Sequence, residues 1–155
     1  MAITRFGTHI NAPRATVYGL LLDGDAVGTW LAPAGMTSRV HRFDAEVGGT
    51  FSITLADNAD APPDKPTPAH YAYYGRFLEL VPDEQVVEVL EFVTEKPEMS
   101  GAQTITFTLT DDDGGTRLDA LHEGVPPGLT EELNDEGWRA ALTKLVALAE
   151  RGTVD

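Results

Sequence analysis

The sequence predicts an α+β fold in which a strongly curved antiparallel sheet of about seven strands surrounds one long C-terminal helix. Residues 130–151 place apolar side chains at helical spacing, whereas most of the preceding chain alternates with the two-residue period of strands. Short turns rich in Gly, Pro and Asp separate the strand segments, which favours hairpin connections and therefore an antiparallel sheet. A curved sheet can bury the single apolar stripe of such a helix without a second layer.

The first third of the chain begins with a strand and continues with two short helices. Alternation over residues 3–10 predicts the strand, and Pro13 suits the first turn of a helix that ends near residues 23–24. A second brief helical turn carries Trp30 and Leu31. Neither helix is long enough to form a core alone, so we expect both to close one end of the sheet.

Six further strands are predicted before the last helix. The loop of residues 56–69 interrupts them, and its prolines and aspartates without apolar periodicity predict an exposed, mobile segment. A glycine pair at residues 48–49 suits a tight hairpin turn between the first two of these strands. The predicted strands cover residues 38–43, 50–55, 70–80, 85–93, 104–110 and 116–122.

The final helix is the element around which the sheet is expected to fold. Thr130 can serve as its N-cap residue, and a glycine follows Arg151 at the other end. The stripe becomes polar towards the N-terminal end, at Asn134 and Glu131. That end either projects into solvent or faces the mouth of a cavity. The apolar stripe consists of Trp138, Ala141, Leu142, Leu145, Leu148 and Ala149.

Composition limits the classes of function. The 155 residues suggest one domain, 1–155, and the absence of cysteine excludes disulfides and thiolate metal sites. The four histidines show no H-x-x-x-H spacing, so a metal centre is not expected. No other cofactor is predicted. A net charge of −14 disfavours nucleic acid and anionic membranes as partners. With no signal peptide or membrane-spanning stretch, the expected location is the cytoplasm; the oligomeric state stays open.

Short motifs in a fixed order carry a resemblance to a known family. They are Ile10-Asn11-Ala12-Pro13, Trp30-Leu31-Ala32-Pro33, Val47-Gly48-Gly49-Thr50-Phe51, Gly75-Arg76-Phe77-Leu78-Glu79, His122-Glu123-Gly124-Val125-Pro126 and Gly137-Trp138 with spaced leucines. Together they resemble the activator of heat-shock-protein-90 ATPase homologues. That family lies within the START-like, birch-pollen-allergen-like (SRPBCC) superfamily with a helix-grip fold.

The resemblance implies seven antiparallel strands that grip the C-terminal helix, with a cavity between them. It also implies binding of a small hydrophobic ligand, because superfamily members bind lipids, sterols or polyketides. A chaperone-binding domain that modulates an ATPase in the stress response is the alternative. A cyclase or dehydratase that uses His122 and an inward Glu as acid and base is a third reading, although folds of this kind host unrelated functions.

Several polar and aromatic residues are expected to face the cavity. His122 shares a strand face with Leu118 and Ala120, so it should point inward, where a structural role is the alternative to ligand contact. Glu88 and Glu91 fall on opposite strand faces, so one of them should point inward, with Arg76 as a possible partner. The predicted cavity residues are Trp30, Met36, Phe51, Tyr71, Tyr73, Glu91, His122, Asn134, Trp138 and Leu142.

Overall fold

The computed structural model describes residues 2–31, 36–57 and 71–151, and it has the predicted α+β architecture. Seven strands form one sheet: β1 (Ala2–Ile10), β2 (Met36–Phe43), β3 (Thr50–Asp57), β4 (Tyr71–Val81), β5 (Gln85–Val93), β6 (Gln103–Asp112) and β7 (Gly115–Val125). The helices are α1 (Arg14–Leu21), α2 (Gly24–Trp30) and α3 (Glu131–Arg151), and a 3-10 turn spans Pro97–Met99.

The strands pair antiparallel in the order β1-β7-β6-β5-β4-β3-β2, which confirms the predicted fold class. Five consecutive pairings join neighbours in sequence, whereas β1 crosses over to pair with β7. The β6–β7 hairpin turns through Asp113 and Gly114, whose φ angles are +51° and +82°. Two successive residues with positive φ match a turn that follows the right-handed twist of the strands.

Helix α3 buries the stripe that the sequence predicts. Trp138, Leu142, Leu145 and Ala149 are buried, and Leu148 is partly buried at the edge of the core. The helix packs against β1 and against both short helices. The backbone N–H of Asn134 donates to the carbonyl of Thr130 at 2.9 Å, so the helical hydrogen bonds begin at the predicted residue.

Strand β4 directs one set of aromatic side chains inward and another outward. Tyr73 and Phe77 are buried, whereas Tyr74 is 47% exposed on the outer face. The irregularity in β4 lies between Phe77 and Glu79, and therefore does not disturb this alternation. Gly75 lies so close to the carbonyl of Val89 that no larger residue would fit without a shift of the backbone.

Three predictions concern parts of the chain outside the described residues. The loop prediction falls on such a segment, apart from the end of β3. Tyr71 and Met36 are the first residues of β4 and β2, but the orientations of their side chains lie outside the described part. The assignment of both residues to the cavity therefore stays a prediction.

Candidate functional site: an apolar cleft and a buried histidine network

The described residues enclose an apolar cleft between the two short helices and the concave face of the sheet. Because β2 to β6 curve under α1 and α2, side chains from both layers converge there. The sequence analysis places the cavity between the sheet and the C-terminal helix. None of the described lining residues of the cleft belongs to α3, so the cleft lies beside that predicted position. Its lining consists of Leu21, Val27, Trp30, Leu31, Phe43, Phe51, Ile53, Tyr73, Glu88 and Phe107.

The cleft is closed more tightly than the predicted cavity. About 290 Å³ of atom-free space lies in the cleft and at its solvent-exposed mouth, but the centre of a water-sized sphere reaches only about 10 Å³. That is room for about one water molecule. The cleft that the described residues form is therefore not an open cavity in this conformation, and a ligand larger than water would have to displace part of its wall.

Aromatic rings make up much of that wall and pack mainly edge to face. Phe51 lies 6.2 Å from Tyr73 and 5.3 Å from Phe77, measured between ring centroids. Trp30 meets Phe107 at 6.1 Å with the ring planes 79° apart, and its indole N–H donates to the carbonyl of Leu20 at 3.2 Å. Offset and edge-to-face pairs stabilise a core beyond their buried area.

Glu88 is the carboxyl on the inner face of β5, which corrects the choice of Glu91. Glu88 pairs with Phe77 and Ile105, whereas Glu91 pairs with the outward Tyr74. The suggested partner Arg76 is also wrong, because it is exposed on the outer face, two residues beyond Tyr74. Glu88 forms no hydrogen bond with any residue that the structure describes.

The environment of Glu88 favours its neutral form. Part of its surface stays accessible, yet its side chain lines the narrow cleft rather than open solvent. Burial therefore raises the pKa of Glu88 from the ordinary 4.5 to about 8. A carboxyl without a charged or hydrogen-bonding partner in an apolar site stays protonated at neutral pH, because desolvation disfavours the anion.

His122 forms the centre of a second polar group, under the N-terminal end of α3. Its Nε2 lies 2.7 Å from Oε1 of Gln103, and its Nδ1 lies 3.1 Å from the indole nitrogen of Trp138. The amide nitrogen of Asn134 is 3.3 Å from the same Nδ1 and donates to the hydroxyl of Thr4 at 2.9 Å. All five residues are buried.

The hydrogen bonds fix the protonation state of His122. An indole N–H can only donate, so Nδ1 must accept, and the ring proton therefore resides on Nε2 and is donated to Gln103. Burial lowers the pKa of His122 from 6.5 to about 4, against a smaller opposite effect of Asn134. Because both nitrogens are occupied by protein groups, the geometry favours the structural role of His122 over acid–base catalysis.

Gln103 is a functional candidate that the sequence analysis missed. It is fully buried, and its amide nitrogen has no hydrogen-bond partner among the described groups. Since its oxygen must face the N–H of His122, the two amide hydrogens point elsewhere and require a water or another acceptor. The sequence did indicate an inward position, because Gln103 lies on the same strand face as the inward-facing Ile105 and Phe107.

The structure thus divides the predicted cavity residues into two groups. Trp30, Phe51 and Tyr73 line the cleft, whereas His122, Asn134 and Trp138 form the buried network. Phe107 joins the groups, because its ring contacts Trp30 on one side and lies 5.9 Å from Trp138 on the other. Leu142 is buried in the core and lines neither site.

Neither a metal-binding cluster nor a membrane-spanning helix occurs among the described residues. Within residues 2–31, 36–57 and 71–151, no three His, Asp or Glu side chains are grouped in a way that would hold a metal ion. No helix in those ranges combines the length and the apolar character that a bilayer span requires.

The sheet that wraps one long C-terminal helix, with two short helices closing its concave side, defines a helix-grip protein. A comparison with protein families then identifies the particular group. Residues 11–150 match the family described as Activator of Hsp90 ATPase homolog 1-like protein, and the chain belongs to that family. No curated protein sequence matches the chain significantly.

Solved structures of similar proteins have the same fold. A protein from Chromobacterium violaceum is 31% identical, with a TM-score of 0.86 and 96% of each chain covered. An AHSA1-like protein from Aeromonas hydrophila is 17% identical and has a TM-score of 0.74, with 99% of this chain and 96% of that chain covered. At such low identity the second comparison supports the fold alone.

Proposed function

We propose that the protein binds a small, largely apolar ligand in the cleft between its short helices and the sheet. The observation that carries the proposal is Glu88, a carboxyl without a described partner among apolar and aromatic side chains. Ligand sites typically combine such walls with a few polar groups that orient the ligand. No reaction is assigned to the site.

An unpartnered carboxyl in the core has an energetic cost that a ligand would reduce. Burying a polar group without a hydrogen bond costs roughly 1–3 kcal/mol by mutational measurements. A hydrophobic side chain at position 88 would avoid that cost if the cleft served only to pack the core. A ligand that hydrogen-bonds to Glu88 would gain this energy as binding energy.

The wall that would move is the one that α2 forms. This helix has seven residues and contains two glycines, and Val27 and Trp30 are its contributions to the cleft. A short helix with few buried side chains separates from a sheet at lower cost than a long one. We therefore expect ligand binding to displace α2 while the network around His122 stays in place.

The two tryptophans provide a direct test of ligand binding. The chain has only two, and they report on different places, because Trp30 lines the cleft and Trp138 donates to His122. Benzyl alcohol and 1-hexanol should shift the indole N–H resonance of Trp30 in a saturable way and move that of Trp138 much less. Assignment through a Trp30→Phe variant identifies the two signals.

A matched pair of variants locates the binding site. Val27→Phe adds a ring inside the cleft and should weaken binding of both probes at least about tenfold. Val93→Phe makes the same change at a side chain that is 61% exposed, and should leave binding unchanged. The proposal is wrong if neither probe shifts the Trp30 signal, or if both variants bind the probes like the parent protein.

A second candidate function is modulation of a chaperone ATPase, which the family description suggests. The structural feature that favours a protein contact is an apolar patch on the outer face of the sheet. Tyr74 on β4 is 47% exposed and Val93 on β5 is 61% exposed. Tyr74 pairs with Glu91 and Val93 pairs with Ala72, so the two exposed side chains lie diagonally opposite each other. A diagonal pair of this kind presents one continuous surface.

An ATPase assay with an Hsp90-type chaperone from the same source tests this second candidate. Saturating protein should raise the ATPase rate, and the double variant Tyr74→Ser/Val93→Ser should lose most of the increase. Val47→Ser removes a side chain that is 65% exposed elsewhere, and should behave like the parent protein. An unchanged rate at saturation eliminates the candidate.

A further inference from the structure

The cleft contains one acidic group and no basic one among its described lining residues. Glu88 is the single ionisable carboxyl there, and no Lys or Arg of the described ranges takes part in the lining. If Glu88 became charged inside the cleft, its counter-charge would have to come from outside the described structure. A carboxylate buried without a cation is strongly unfavourable.

The rings around Glu88 would also favour a positive charge. Trp30, Phe43, Phe51, Tyr73 and Phe107 line the same cleft, so several π faces and edges surround the carboxyl. The faces of such rings attract ammonium groups, more strongly where water is excluded. An acidic group within an aromatic enclosure combines two independent sources of attraction for an organic cation.

The charge of the whole chain acts in the same direction. A net charge of −14 attracts cations towards the surface and repels anions before they reach the cleft. An anionic ligand would additionally place its charge against Glu88, where two carboxylates can only coexist by sharing a proton. Carboxylate ligands are therefore the class that the site disfavours most.

From these observations we propose that the ligand of the cleft is an organic cation, an amine on an apolar body whose ammonium group lies against Glu88. The inference rests on the proposed function, since it specifies the ligand class of the same cleft. The free space in the cleft holds about one water molecule, which suits an ammonium group of similar size. The body of the ligand would displace α2.

Binding would transfer one proton to solvent. Before binding, Glu88 carries its carboxyl proton; on binding, the O–H bond breaks, the proton leaves to the buffer, and the carboxylate pairs with the ammonium ion. No proton is lost from the amine. Affinity for an amine should therefore rise about tenfold for each pH unit between pH 6 and pH 7.5, as expected for release of one proton.

Three probes that share one ring separate charge from shape. Benzylamine, benzyl alcohol and benzoate are titrated by calorimetry at pH 7 in two buffers with different ionisation enthalpies. Benzylamine should bind at least about tenfold more tightly than benzyl alcohol and release close to one proton, whereas benzoate should bind most weakly. Titrations from pH 6 to pH 7.5 supply the predicted slope.

Two variants on the same strand assign the effect to one side chain. Glu88→Gln should lose both the preference for benzylamine over benzyl alcohol and the proton release. Glu91→Gln, on the outer face, should change neither. Equal binding of amine and alcohol without proton release would overturn the cation inference and leave the proposed function standing. Tightest binding of benzoate would likewise overturn the cation inference alone. Absence of binding for all three probes would reject both the cation inference and the proposed function.

Discussion

Replacement of His122 by alanine is expected to lower the free energy of unfolding by about 3–5 kcal/mol, because it leaves two or more buried polar groups without partners. The indole N–H of Trp138 would lose its acceptor, and the oxygen of Gln103 would lose its donor. Since a domain of this size is stable by about 5–15 kcal/mol, much of the total would be lost. Urea unfolding at pH 7 measures the change.

The matched control is His41→Ala, which removes a histidine that is exposed and contacts Thr54 at 2.8 Å. Its effect should stay within about 0.5 kcal/mol, as for most surface substitutions. A loss of similar size in both variants would show that the buried network stabilises the protein no more than the surface contact of His41 does. Should His122→Ala not fold, Trp138→Phe keeps the ring and removes only the donor.

That milder variant gives an independent result by NMR titration. In the parent protein burial holds the pKa of His122 at about 4, so the ring should stay neutral throughout the range above pH 5. Without the indole donor, Nδ1 is free to take a proton that Asn134 can stabilise by turning its amide oxygen towards it. The pKa of His122 should therefore rise, and an unchanged value would contradict the assigned tautomer.

Glu88→Gln is expected to stabilise the protein at pH 8 by about 4 kcal/mol relative to the parent, the second largest effect. The pKa of Glu88 is about 8 in the folded state and 4.5 as its ordinary value, so the unfolded chain loses this proton first. Between these two pKa values the folded state binds more protons than the unfolded chain does. The free energy of unfolding therefore falls by about 1.4 kcal/mol for each unit by which the pH rises. Below pH 4.5 the carboxyl is neutral in both states, and parent and variant should agree.

Urea unfolding of the Glu88→Gln variant and its parent from pH 4 to pH 9 tests this dependence. Glu91→Gln is the control on the outer face of the same strand, and its difference from the parent should not show this rise with pH. A difference for Glu88→Gln that stays constant with pH would mean that Glu88 is not desolvated. A difference that grows above pH 4.5 and levels off near pH 8 would confirm the buried, unpaired carboxyl.

His122 imposes the opposite dependence on pH. The pKa of His122 is lowered to about 4 in the folded state, so the unfolded chain binds more protons between pH 4 and pH 6.5. Its stabilising effect is therefore complete above pH 6.5 and is lost as pH falls. Between pH 4.5 and pH 6.5 the slopes from His122 and Glu88 should nearly cancel, and above pH 6.5 the slope from Glu88 should remain alone.

The sequence by itself determined the fold class, the strand order along the chain and the buried face of the last helix. These follow from local periodicity, since Trp138, Leu142 and Leu145 repeat at helical spacing, and Ile105 and Phe107 repeat at strand spacing. The inward position of His122 follows in the same way from Leu118 and Ala120. In each case one face is apolar and the other polar, so the pattern has a single solution.

Only the tertiary structure decided the identity of the inward carboxyl and the partners of His122. Strand β5 is apolar on both faces, so alternation could not choose between Glu88 and Glu91, and only its pairing with β4 and β6 did. Gln103 and Asn134 meet His122 from positions 19 and 12 residues away. Contacts of this kind depend on strand register and on the position of α3, and no local pattern encodes those quantities.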